Sequence, residues 1–148
     1  MPAFITVGRV LFAVLFIVSG AAKLLDLAST AQMTAKIVFP AGFAPYTAQL
    51  ETITGMPLPQ ILAILAGAVE VICGLMIALN FGARFFAILL ILFVAAATFY
   101  YHDFWNQTGP DARNNLVHAL KNLSIIGALF MIVGLGRTTK VREAAYDV

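Results

Sequence analysis

Four stretches of about 20 mostly apolar residues, each long enough to cross a hydrocarbon layer, set the terms for this chain. They run over residues 4–25, 59–79, 84–101 and 114–135. Inside a bilayer the backbone finds no water to bond to, so an apolar span must satisfy its own N–H and C=O groups, which selects helices. Of the 148 residues 61% are hydrophobic and 11% charged, and a mean hydropathy of +0.95 lies outside the range of soluble domains. The expected fold class is all-α: an integral membrane four-helix bundle, forming a single transmembrane domain over residues 1–148. Too little chain remains for a separate soluble domain.

Composition excludes several functions. The net charge is only +2, and no stretch interleaves basic and aromatic residues as a nucleic-acid groove does, so no nucleic-acid role is expected. Cys73 stands alone, which rules out an intramolecular disulfide or a dithiol redox centre. Arg9 ahead of an apolar run that ends in Ser19-Gly20-Ala21-Ala22 has the outline of a cleavable leader. The run from Phe4 is long enough to span, however, and ends in Lys23, which favours a retained helix. Asn106-Gln107-Thr108 matches a glycosylation sequon but stands without supporting context.

Between the first two spans lies a loop of about 33 residues, broken by Pro40, Pro45 and Pro57 and so unable to cross the bilayer. Within it, residues 27–39 carry a roughly helical apolar pattern and predict a short interfacial helix. Asn80 and Gly82 predict a tight turn between spans two and three, and residues 103–113 form a second short loop. Four spans place both termini on one face. Arg9, Arg84, Arg137, Lys140 and Arg142 fall on that face against Lys36 and Arg113 on the other, so the positive-inside rule predicts cytoplasmic termini in the cell's inner membrane.

Polar residues within the spans are the functional candidates, because a charge in hydrocarbon is costly. Phe12, Phe16, Ser19 and Lys23 share one stripe of span one. Ala63, Ala66, Gly67, Glu70, Cys73 and Gly74 share one stripe of span two, where small residues allow close helix contact. His102 continues the face of Thr98, and Asn115, His118 and Asn122 share a face with Lys121 at its edge. At about 1.5 Å per residue, Lys23 and His102 sit near the outer boundary, His118 about 6 Å in, Lys121 about 10 Å in and Glu70 near the midplane. The expected site is a polar intramembrane cavity lined by Lys23, Glu70, His102, His118, Lys121 and Asn122, with Glu70 and Lys121 neutralising each other. The alternatives are structural: Lys23 snorkelling to headgroups, an ion pair that only joins helices, and His102 within an aromatic belt beside Tyr100, Tyr101 and Trp105. Haem held by the two histidines is disfavoured by their different depths, and a metal on His102, His118 and Asp103 is not required by the spacing.

Gly8-Arg9 at the start of span one, Ser19-Gly20 followed by Lys23 at its end, and Glu70 in a glycine-bearing span two are joined by His102 with Phe104-Trp105, and by His118 followed by Lys121-Asn122-Leu123. In this order the chain resembles the DoxX family of small four-span membrane proteins. The resemblance implies a four-helix membrane bundle and, for some bacterial relatives, a place in quinone-linked respiratory or sulfur-oxidising oxidoreductase complexes; other relatives are assembly factors or cargo receptors. Two readings follow. In one, the protein is a membrane subunit of a quinone-linked oxidoreductase, with His118, Lys121 and Glu70 around a quinone headgroup and a protein partner beside it in the bilayer. In the other it is a non-catalytic scaffold or assembly factor for a partner membrane protein.

Overall fold

The computed structural model describes the backbone of residues 2–146 and the side chains of residues 3–135. It is all-α, with no strand among the described residues: α1 (Pro2–Leu25), α2 (Leu27–Thr34), α3 (Ala44–Thr54), α4 (Leu58–Ala78), α5 (Ala83–Tyr101) and α6 (Gly109–Tyr146). Four of these helices are long and apolar enough to cross a membrane, over Ala3–Leu25, Leu58–Ala78, Ala83–Asn106 and Gly109–Leu135. The chain divides into two compact units, residues 14–72 and residues 1–13 with 73–148. The boundaries fall inside α1 and α4.

In the unit of residues 14–72, α1 gives way to α2 at a single residue. Asp26 leaves helical geometry with φ −120° and ψ 69°, and its carboxylate accepts from the Ser29 N–H, capping α2. Its own N–H still bonds back to the Ala22 carbonyl. Breaking a helix here leaves the Lys23 carbonyl without its usual partner, and the Thr30 hydroxyl donates to it at 3.3 Å and to Asp26 O, which also accepts from the Thr30 N–H, at 2.9 Å. The interfacial helix expected over 27–39 ends sooner, at Thr34, whose hydroxyl donates to Pro59 O at 2.6 Å.

The structure adds α3, which the proline content had concealed. Pro45 occupies its first turn, where a missing N–H costs nothing, and Gly55 closes it in the left-handed region at φ +67°. Glu51 Oε1 then accepts from the Leu58 N–H at 2.6 Å and so caps α4. The loop is thereby fastened to the start of a span at two points.

In the other unit, α4 ends as the turn residues predict. Asn80 takes φ +59°, Phe81 N donates to Met76 O and Asn80 N to Ile77 O, the paired bonds of a Schellman cap. Ala83, Ala87, Leu90 and Val94 form the buried stripe of α5, and α5 packs on α6. Span four starts earlier than expected and its apolar stretch runs to Leu135. It begins at Gly109, with Pro110 and Asp111 in a first turn that suits both, and the helix continues to Tyr146. Arg137, Lys140 and Arg142 have side chains outside the described residues.

Candidate functional site

Five of the six candidate residues fall into two polar stations, one in each unit. In the unit of residues 14–72 the station is built on a close helix crossing. A Cβ placed on Gly20 would lie 2.6 Å from the Gly67 carbonyl oxygen and 2.8 Å from Glu70 Cβ; one on Gly67 would lie 2.7 Å from the Leu24 side chain and 3.0 Å from Gly20 O. Two glycines facing each other let α1 and α4 approach as only small residues permit, which matters in lipid, where burial of apolar surface drives helix association weakly. The order of these contacts makes the helices antiparallel, since Leu24 meets Gly67 while Gly20 meets Gly67 and Val71.

At this crossing Lys23 Nζ donates to Glu70 Oε2 at 2.7 Å and to Ser19 Oγ at 2.7 Å. Helical side chains lean toward the N-terminus, so the lysine runs back along α1 past Ser19, one turn before it. That direction is the reverse of snorkelling to headgroups. Glu70 is 7% exposed and Lys23 30%, so the carboxylate is desolvated and its cation is the nearer to the edge. The cation of Glu70 is therefore Lys23, where Lys121 had been expected. The level also differs from expectation. Gly67 is nine residues into α4, about 14 Å from its start at 1.5 Å per residue, so α1 ends well short of where α4 begins and Lys23 lies deeper along α4 than a boundary residue would. Depth counted from span ends alone had treated both helices as starting level.

The second station lies between α5 and α6. Asn122 Nδ2 donates to the Thr98 hydroxyl at 2.9 Å, and one turn on His102 Nδ1 meets Asn115 Oδ1 at 3.1 Å. The pairings descend α6 as they ascend α5, so the helices are antiparallel. The buried stripe of α5 thus turns polar at Thr98 and His102, as spacing indicated, and Asn115, His118 and Asn122 share the facing stripe. The His118 ring stacks on His102 with centroids 5.0 Å apart and planes within 10°. Lys121, by contrast, is exposed on α6 and is not part of this facing set.

A chain of hydrogen bonds fixes the chemistry of His102. The Asp103 carboxylate accepts only, so the Gln107 amide turns its NH2 toward it, at 2.6 Å. Gln107 Oε1 then accepts from Asn115 Nδ2 at 2.6 Å, which leaves Asn115 Oδ1 facing the imidazole. An oxygen there requires the His102 Nδ1 to carry the proton, and in the neutral ring Nε2 is left as the acceptor. Asp103 and Gln107 were not among the expected site residues. Only the 3₁₀ turn at Phe104–Asn106, which folds the linker back over α6, brings them in, and no helical periodicity reports such a turn.

No group of three His, Cys, Asp or Glu side chains among the described residues is arranged to hold a metal. Two grooves, about 470 Å³ beside Gly109, Pro110, Arg113, Asn114 and Val117 and about 390 Å³ beside Leu27, Ala28, Ala31, Pro57, Pro59 and Gln60, are lined by none of the six candidates.

The DoxX family model matches residues 4–103, a stretch that contains Lys23, Glu70 and His102 and stops before His118. The chain is 27% identical to Inner membrane protein YphA of Escherichia coli (strain K12) over 135 residues, covering 91% of this chain and 84% of that protein. No solved structure matches it. Four membrane-length apolar helices together with the family match over two thirds of its length establish the chain as a multi-pass membrane protein of the DoxX family.

Proposed function

We propose that the protein is a membrane subunit of a quinone-linked oxidoreductase complex, and that the His102 and His118 station receives the quinone headgroup. The observation that carries this reading is the hydrogen-bond chain from Asp103 to His102, which commits Nδ1 as a donor inward and leaves Nε2 free. A neutral Nε2 accepts from a quinol hydroxyl, and a protonated one donates to a quinone carbonyl, so one nitrogen serves both redox forms of such a ligand. Asn122 and Thr98, hydrogen-bonded to each other one turn further along, mark the polar limit of the station. The electrons pass to or from a partner subunit in the bilayer. The termini face the cytoplasm, as the distribution of lysine and arginine supports. Purification in a mild detergent, followed by solvent extraction and chromatography of quinones, tests the assignment: the native protein carries quinone, and His102→Phe with His118→Phe loses it. An extract free of quinone would remove the reading. Labelling of a Thr108→Cys variant from the cytoplasmic side alone would reverse the orientation.

A specific observation favours a second reading for the other station. Lys23 and Glu70 meet directly at a glycine crossing, with Ser19 on the same ammonium, which suits a lock between helices in a scaffold or assembly factor.

A further inference from the structure

The helix α3 leaves a row of large apolar side chains uncovered. Phe43, at its N-cap, and Tyr46, Leu50 and Ile53 follow each other at steps of three, four and three residues, and they are 53%, 70%, 38% and 73% exposed. That spacing gathers them on one flank of the helix. Thr47 and Glu51, on a different side, are the less exposed positions, and Glu51 is the residue that bonds α4. Pro45, Gln49 and Thr52 lie on the remaining side and are exposed. The helix therefore has three distinct sides, one joined to the protein, one apolar and one polar.

We propose that the Phe43, Tyr46, Leu50 and Ile53 flank of α3 docks on the lipid surface at the membrane–water interface where α4 enters, taking neutral lipid as its partner. Location argues for lipid. The link from Thr54 to Leu58 spans at most about 15 Å at 3.8 Å per Cα step, and Glu51 Oε1 on Leu58 N at 2.6 Å holds α3 against the first turn of a membrane helix. Leu65 and Ile72, 52% and 51% exposed along α4, continue an apolar surface that lipid must cover in a membrane span. Charge argues for neutral lipid in particular. Between Lys36 and Arg84 the only charged residues are Glu51 and Glu70, both engaged with the protein itself, so nothing on α3 attracts an anionic headgroup. The aromatic Phe43 and Tyr46 suit the headgroup level, where an apolar ring and a polar tip are both accommodated.

The test uses the full chain in phosphatidylcholine nanodiscs. In a Trp105→Phe background, Tyr46→Trp, Ile53→Trp and, on the polar side, Thr52→Trp each provide one fluorophore. With brominated phosphatidylcholine, quenching of the first two should exceed that of the third by at least about threefold, with acrylamide showing the opposite order, as expected of a helix lying in the interface. Replacing a quarter of the lipid by phosphatidylglycerol should leave that ratio unchanged. A lipid-soluble diazirine applied to the unsubstituted chain should label the segment 43–54 in parallel. Strong acrylamide quenching at positions 46 and 53 without bromolipid quenching would overturn the proposal and leave the flank free for a protein partner; a ratio that rises with phosphatidylglycerol would overturn the neutral-lipid part.

Discussion

The two polar stations solve one problem in opposite ways. At Lys23 and Glu70 a full positive and a full negative charge meet at 2.7 Å, on helices brought together by facing glycines. Between α5 and α6 the groups are a threonine, two asparagines, a glutamine and two imidazoles, with one carboxylate, Asp103, at the far end of the chain. A charge pair in a poorly solvated place has a steep energy well: together the charges nearly cancel, and apart each is expensive. Neutral hydrogen bonds are individually weaker and can be exchanged for bonds to another molecule. The first arrangement is suited to holding, the second to binding and release.

Removing one charge should separate the stations most sharply. Lys23→Met leaves Glu70, 7% exposed, without its cation and should cost about 3 to 5 kcal/mol. Thermal unfolding in detergent measures it. Glu70→Gln should cost less, because the half-buried ammonium can reach solvent, and the double change Lys23→Met with Glu70→Gln should recover most of the loss of Lys23→Met. Additive losses would show that the pair does not act as a unit.

Next in size is the crossing that brings the pair together. Gly20→Ala puts a methyl group on a backbone oxygen, which no rotamer relieves, and should cost about 1 to 3 kcal/mol. Gly67→Ala meets mainly the movable Leu24 side chain and should cost less. Gly127, with nothing within 4 Å of its added Cβ, is the control, and Gly127→Ala should leave the melting temperature unchanged or slightly raised. Equal effects at the three positions would deny the crossing its role.

The histidine station should respond little in stability and clearly in chemistry. Gln107→Leu removes one link to a carboxylate and one neutral link and should cost about 1 to 2 kcal/mol, yet it frees Asn115 to turn its NH2 toward His102. Nitrogen NMR of the labelled imidazoles should then show the proton moving from Nδ1 to Nε2. An unchanged tautomer would mean that Asp103 and Gln107 do not govern the ring. Smallest of all, Lys121→Met, on an exposed face of α6, should change neither the melting temperature nor the His102 spectrum.

Much of this was legible in the residues. Hydropathy located four helices, because length and apolarity are what a bilayer demands. Helical periodicity put Ser19 with Lys23, Glu70 among small residues, and Asn115, His118 and Asn122 on one face. What periodicity lacks is a partner and a level. Glu70 was assigned to Lys121 because both were read as deep, whereas Lys23 leans inward from an α1 that ends short of the start of α4. The link of Asp103 and Gln107 to Asn115 was missed because a 3₁₀ turn carries no repeat, and α3 because Pro45 was read as a breaker when it stands at a helix start, ten residues before the glycine that closes it.

The division of labour between the stations is tested most directly by measuring binding of a short-chain ubiquinone to purified protein in detergent, comparing two double variants. The account predicts that Lys23→Met with Glu70→Gln, once folded, binds with native stoichiometry and affinity within about threefold, whereas His102→Phe with His118→Phe keeps its melting temperature within a few degrees and loses binding by at least about tenfold, the equivalent of 1.4 kcal/mol. Retained binding in the histidine variant together with its loss in the lysine and glutamate variant would contradict the account and move the ligand site to the crossing of α1 and α4.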